Sequence, residues 1–184
     1  MLKVLMIVGS LRIESLNRQC AMQIARDLRE KASCTFLDYA DIPYMNEDIE
    51  FPTPEAVARV RSLVAAADGL WFVSPEYNRS YPGLLKNLVD WLSRPVTPNG
   101  RRDTCIIWGK KCAVTSVGGG FKGAGCIAEM QKLIPFVGGK LLPETLGIGY
   151  TRAEESASIL ELTEERLSAL VGQEKAFLDF LAQG

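Results

Sequence analysis

The chain has 184 residues, 47% of them apolar and 23% charged, with a net charge of -1. That size and balance suit one globular domain over residues 1–184 and exclude a disordered chain. No basic run exceeds the pairs Arg101-Arg102 and Lys110-Lys111, which argues against a nucleic-acid partner, and no apolar run reaches the roughly 20 residues that span a bilayer.

Val4 to Val8 is an uninterrupted apolar run, as expected of a parallel strand buried on both faces. It is followed by Gly9-Ser10-Leu11-Arg12 and not by a small-residue cleavage site, so it reads as a first strand and not as a signal peptide. From Ser15 the pattern turns helical: Leu16, Cys20, Ile24 and Leu28 recur every four residues, an apolar stripe. Thr35 to Leu37 is a short second strand, and a Pro- and acid-rich connection runs from Asp38 to Pro54. Pro54 to Ala67 forms a second helix with its proline in the first turn. Gly69 to Ser74 is a third strand, Pro82 opens a third helix that stops before Pro95, and Thr97 to Thr104 is a polar loop. Lys111 to Val117 is a fourth strand, Ala124 to Ile134 a fourth helix, Gly139 to Leu142 a short fifth strand, and Ser156 to Leu181 one last helix. The charges at Glu154, Glu155, Glu161, Glu164, Glu165 and Arg166 read as a solvated helix face.

Strand and helix alternate, so the class is α/β: a five-stranded parallel sheet in the flavodoxin-like order 2-1-3-4-5, with helices on both faces. Ligands of such sheets sit beyond the carboxyl ends of the strands, where three loops stand out. Gly9 to Arg18 pairs a good N-cap, Ser15, with the donors Ser10, Asn17 and Arg12. Free amides at a helix start bind phosphate, and an arginine fork suits phosphate oxygens. Ser74 to Gly83 carries two tyrosines and two prolines, a stiff loop whose amides and aromatic faces suit a flat ring. Ser116 to Gly123 is glycine-rich, so its backbone can approach a ligand closely. Its Gly118, Gly120 and Gly123 match the dinucleotide pattern GxGxxG, with Glu144 about 20 residues on. That pattern follows the fourth strand and not the first, and too little chain remains for a Rossmann domain.

The chain has no histidine. That removes histidine-based nucleophilic catalysis and the commonest metal ligand. Its five cysteines are odd in number, scattered and without CxxC spacing, so no metal site is expected. Reduced thiols in a cytoplasmic setting are the simplest reading. Cys20 and Cys112 read as core filler. Cys126 lies at a helix start, where a thiolate can be stabilised, but the inert reading is preferred. A bound organic cofactor is the natural carrier of any chemistry.

At these loops the sequence resembles the NADPH-dependent FMN reductase family, which has a flavodoxin-like fold and includes flavin, quinone, azo-dye and chromate reductases. The matching segments are Gly9-Ser10-Leu11-Arg12 with Ser15 and Asn17, Asp41 to Asn46, and Ser74-Pro75-Glu76-Tyr77-Asn78 through Pro82-Gly83, Lys86-Asn87, Asp90-Trp91 and Ser93-Arg94-Pro95. The likeness runs from Met1 to about Pro143. It implies that Ser10, Arg12, Ser15 and Asn17, with Leu16 among them, hold an FMN phosphate. It implies that Pro75, Glu76, Tyr77 and Asn78 border the flavin ring, largely through backbone groups, and that Ser116, Val117, Gly118 and Gly119 flank its pyrimidine edge. No side chain is then needed as a catalytic residue. NADPH or NADH would reduce the flavin at N5, and a quinone, free flavin or similar small acceptor would reoxidise it in a ping-pong cycle. A homodimer or homotetramer is implied too, with the helix from Leu84 to Trp91 as a contact surface. The alternatives are a flavodoxin-like electron carrier without enzymatic activity and a dehydrogenase binding NAD through Gly118–Gly123.

Overall fold

The computed structural model describes residues 1–183. Strand β1 (Leu2–Val8), helix α1 (Leu16–Asp27), β2 (Ala32–Phe36), α2 (Glu55–Ala66), β3 (Gly69–Val73), α3 (Gly83–Leu92), β4 (Lys111–Gly118) and α4 (Ala124–Phe136) follow one another, with single 3-10 turns at Glu47–Ile49 and Arg102–Thr104. The chain then runs through β5 (Lys140–Leu141), β6 (Leu146–Gly149), α5 (Arg152–Ala157) and α6 (Glu164–Ala182). All strand pairs are parallel, in the order β2-β1-β3-β4-β5.

The sequence reading missed β6, which pairs with β4 from Thr115↔Leu146 to Gly118↔Gly149. β5 pairs only with Lys111 and Cys112. The outer position beside β4 is thus one strand broken in two around Pro143, and the sheet has six strands, not five.

Successive strand residues point to opposite faces, and the core divides accordingly. Leu5, Ile7, Leu70, Phe72, Cys112 and Val114 pack under α2, α3 and α4. Val4, Met6, Val8, Trp71, Val73 and Ala113 pack under α1 and α6. Trp71 meets Phe177 of α6 edge-on at 4.9 Å. The Trp71 indole donates to Thr115 Oγ1 at 2.9 Å, and the Thr115 hydroxyl donates to Gln173 Oε1 at 2.6 Å. Gln173 Nε2 in turn donates to Val114 O and Glu144 O, so each donor of this chain of bonds has an acceptor, as a buried polar network requires.

The last helix departs from expectation. It is two helices, separated where Ser158 adopts a left-handed φ of 55°. Thr151 and Glu154 form a reciprocal capping box at the start of α5, a T-x-x-E signature present in the sequence. The charges expected in water are partly withdrawn from it. Arg166 grips the buried Glu154, Nη1 to Oε1 at 2.5 Å and Nη2 to Oε2 at 3.2 Å, and also donates to the carbonyls of Gly149 and Glu161. Arg166 and the capping-box bonds hold the Glu154 carboxyl at about 2, well below its usual 4.5.

Glu174 of α6 is buried with one carboxylate oxygen unpartnered. Burial, reinforced by Asp27 and opposed by Lys31, pushes it up to about 7 from 4.5. The folded state therefore holds this proton more tightly than the unfolded chain. Its contribution is favourable in full below pH 4.5 and fades as pH rises through 7, by about 3 kcal/mol. Glu174→Gln should remove that fall, and thermal melts between pH 4.5 and 8 check it.

Candidate functional site

The carboxyl ends of β1, β3 and β4 release three loops that converge on one cleft of about 260 Å3. The first two loops are brought together at Gly9, which donates to Val73 O at 2.9 Å. A Cβ on Gly9 would lie 2.5 Å from Ser74 Oγ. Only glycine allows the strand ends to leave the sheet this close.

The first loop carries the N-cap expected of it. Ser15 is the N-cap of α1, its side chain accepting from Arg18 N. The first intrahelical-type bond is Gln19 N to Ser15 O at 3.0 Å. The amides of Leu16 and Asn17 therefore precede the helix ladder, and Ser10, Ser15, Leu16 and Asn17 all line the cleft. Arg12 stands at the rim and donates to Ser158 Oγ.

Asn17 lines the cleft and carries a structural bond as well. It is 3% exposed; its Nδ2 donates to Val117 O and its Oδ1 accepts from Val117 N, both at 2.9 Å. This two-point clamp ties the start of α1 to the end of β4 across 100 residues. Asn17 shapes the cradle, and its carboxamide oxygen is spent on the backbone.

In the second loop Asn78 and Arg79 have φ values of 51° and 66°. They lie between a pair of backbone bonds joining Tyr77 and Ser80, at 2.8 and 3.0 Å. Two consecutive left-handed residues in a two-residue loop make a type I′ turn. Pro75, Glu76 and Tyr77 line the cleft, whereas Asn78 sits at the exposed tip and does not. Glu76 is not solvated: its Oε2 accepts from Gly125 N at 2.6 Å and Cys126 N at 3.3 Å. It caps α4, whose own N-cap residue is a glycine without a side chain, and favours the positive helix end.

The third loop explains its glycines. A Cβ on Gly118 would lie 2.5 Å from Gly123 N, and one on Gly123, at φ 71°, 1.9 Å from Ser116 Oγ. Ser116 is fully buried, its hydroxyl donating to Ser74 O at 2.7 Å, so it supports the floor without lining it. Two glycines of the GxGxxG pattern thus answer to the chain's own turn, so the pattern by itself is no evidence for a Rossmann-type site. Val117, Gly118 and Gly119 do line the cleft. Burial pushes the Cys126 thiol up, Cys20 to about 12 and Cys112 higher still, so none of them is an activated thiol.

The sequence reading missed the rear wall, Tyr150 and Glu155. Gln19 of α1 holds this segment, donating to Ser158 O at 2.8 Å and accepting from Leu160 N at 2.9 Å. The motif residues along α3 serve the opposite flank. Asn87 accepts from Met45 N and donates to Pro43 O, Trp91 donates to Pro43 O, and Arg94 forks onto Glu50. Most of the apolar face of α3 is buried in its own core, as packing on the sheet requires.

The donor set fits an FMN. Hydroxyls, free helix amides and one arginine meet the needs of a phosphate, and the neighbouring loop amides and the Tyr77 face suit a flat heteroaromatic ring. The NADPH-dependent FMN reductase family matches residues 2–152 of this chain. A quinone reductase of Pseudomonas putida is 35% identical, with 91% of this chain and 90% of that protein covered. One of Escherichia coli K12 is 32% identical, with 98% and 95% covered. A 2-hydroxy-1,4-benzoquinone reductase of Burkholderia sp is 44% identical over 94 residues, which is 51% of each protein. Among solved structures, the flavoenzyme NAD(P)H:(acceptor) oxidoreductase FerB of Paracoccus denitrificans superposes with a TM-score of 0.85 at 29% identity, covering 98% of this chain and 97% of that one.

Proposed function

Because this chain belongs to the NADPH-dependent FMN reductase family, we propose that its cleft holds FMN and that the protein passes electrons from NADPH or NADH to a small acceptor, a quinone or free flavin. The observation that carries this reading is the convergence of a phosphate-type donor set and a ring-type wall in one cleft. When bound, FMN supplies a ring able to take two electrons from a nicotinamide and give them to an acceptor.

The protein's share is positioning. Ser10, Arg12 and Ser15, with the Leu16 and Asn17 amides, hold the phosphate. Pro75, Glu76 and Tyr77 border the ring on one side, and Val117, Gly118 and Gly119 on the other, where backbone amides favour negative charge. Glu76 reaches the site through backbone, since its carboxylate is committed to α4. Tyr77 and Phe121, 54% and 74% exposed, flank the mouth. One mouth makes donor and acceptor take turns, hence a ping-pong order. The proposal extends to residues 1–184 acting as one domain. It also extends to a cytoplasmic setting, in keeping with five free thiols, and to a homodimer or homotetramer.

Arg12 is the test. Arg12→Ala should weaken FMN binding about tenfold, the worth of one charge-assisted hydrogen bond. A fluorescence titration with FMN reads this, and an unchanged Kd removes Arg12 from the phosphate site.

A further inference from the structure

The cleft does not end at its rear wall. A second groove shares Gly119, Gly120 and Tyr150 with it and continues past Lys122, Gly149, Thr151, Thr163 and Arg166. Its floor is β6, and its far side is the start of α6. The stem of Lys122 lies along that floor. A Cβ on Gly149 would meet Lys122 Cγ at 3.2 Å and Cε at 3.7 Å, and one on Gly147 would meet the Lys122 carbonyl oxygen at 2.4 Å. Lys122 itself is held at φ 51°, a conformation uncommon for a side chain of this size.

The charges in the groove are unequal in availability. Arg166 is neutralised by Glu154. Lys122 has no salt bridge or side-chain hydrogen bond among the described residues, and Glu165 is the groove's one carboxylate. The Thr151 and Thr163 oxygens accept from backbone amides of their own helices, which leaves each hydroxyl hydrogen free to donate. The groove thus offers one uncommitted ammonium and two hydroxyl donors, and it joins the cleft at Gly119, Gly120 and Tyr150.

We infer that this groove is the subsite for the adenosine end of the dinucleotide, and that Lys122 reads the 2′-phosphate that distinguishes NADPH from NADH. The inference rests on the proposed function and deepens it. A compact, flexible ammonium suits a terminal phosphate as a point charge.

The test uses the FMN-loaded protein and two probes, 2′,5′-ADP and 5′-AMP, as inhibitors of NADPH oxidation and as titrants in calorimetry. The wild type should bind 2′,5′-ADP about tenfold more tightly than 5′-AMP. Lys122→Gln should abolish that difference and Lys122→Arg should retain it. FMN affinity, titrated in parallel, should be unchanged in both variants. Equal affinity of the wild type for the two probes, or a preference that survives in Lys122→Gln, overturns the assignment. Either result with FMN still bound leaves the proposed function standing, whereas failure to bind FMN at all removes that function itself.

Discussion

Arg166→Met should cost the fold about 3 kcal/mol at pH 7, the usual order for leaving one member of a buried ion pair without its partner. The arginine meets both oxygens of Glu154 and two backbone carbonyls, while methionine keeps only the packing of its stem. Glu154 would then sit in the capping box of α5 with a charge nothing neutralises. The pH dependence carries the signature. In the wild type Glu154 titrates near 2 and not 4.5, so its contribution is complete above pH 4.5 and lost as pH falls toward 2. The gap between wild type and variant should therefore close over that window. Denaturant unfolding at pH 7, 4 and 2.5 measures it; a gap independent of pH would show that the pair is not what stabilises this corner. The damage should also reach the site, because Arg166 holds Gly149 and α5, which carry Tyr150 and Glu155.

Gly123→Ala should be as severe, by a different mechanism. The new methyl would stand 1.9 Å from Ser116 Oγ and 2.5 Å from its Cβ, at a φ of 71°. Ser116 cannot swing aside, since it is buried and bonded to Ser74 O. Left-handed strain of about 1 kcal/mol adds to an overpacking cost of roughly 1–3 kcal/mol. The displacement would part the Gly118 turn from the Pro75 segment, so FMN affinity should fall along with the melting temperature. Gly120→Ala is the control. Nothing lies within 4 Å of a Cβ there, and its stability should stay within about 0.5 kcal/mol of wild type. Comparable losses in both variants would show that the glycines serve flexibility and not close packing.

The parts of this molecule that were legible in the sequence are those fixed by local chemistry. Ser15 ahead of the stripe Leu16, Cys20, Ile24 and Leu28 marked the start of α1, because capping and periodicity both act within a few turns. The buried runs marked β1, β3 and β4, and their alternation with helices gave the sheet order. β6 escaped because Leu146-Gly147-Ile148-Gly149 is short and half glycine, and its glycines make sense only once Lys122 is seen pressing on them. The Glu154–Arg166 pair read as solvated because its members are 12 residues apart on two helices, not one. The site was legible as three loops, yet the division of labour inside them was not. Asn17, read as a ligand donor, is also a clamp on Val117, and Glu76, read as a border of the ring, commits its carboxylate to the start of α4. Each of these bonds joins residues about 50 or more positions apart, where spacing carries no signal. Tyr150 and Glu155 were missed because nothing in their own segment resembles a ligand loop, although the Thr151-to-Glu154 capping box announced a helix start beside them.

A crystal structure of the FMN-loaded protein tests the central claim most directly. The phosphate should rest on Ser10, Arg12, Ser15 and the Leu16 and Asn17 amides, with the ring between the Pro75–Tyr77 segment and Gly118–Gly119. Density for FMN elsewhere on the surface, or a phosphate turned away from the start of α1, would contradict it.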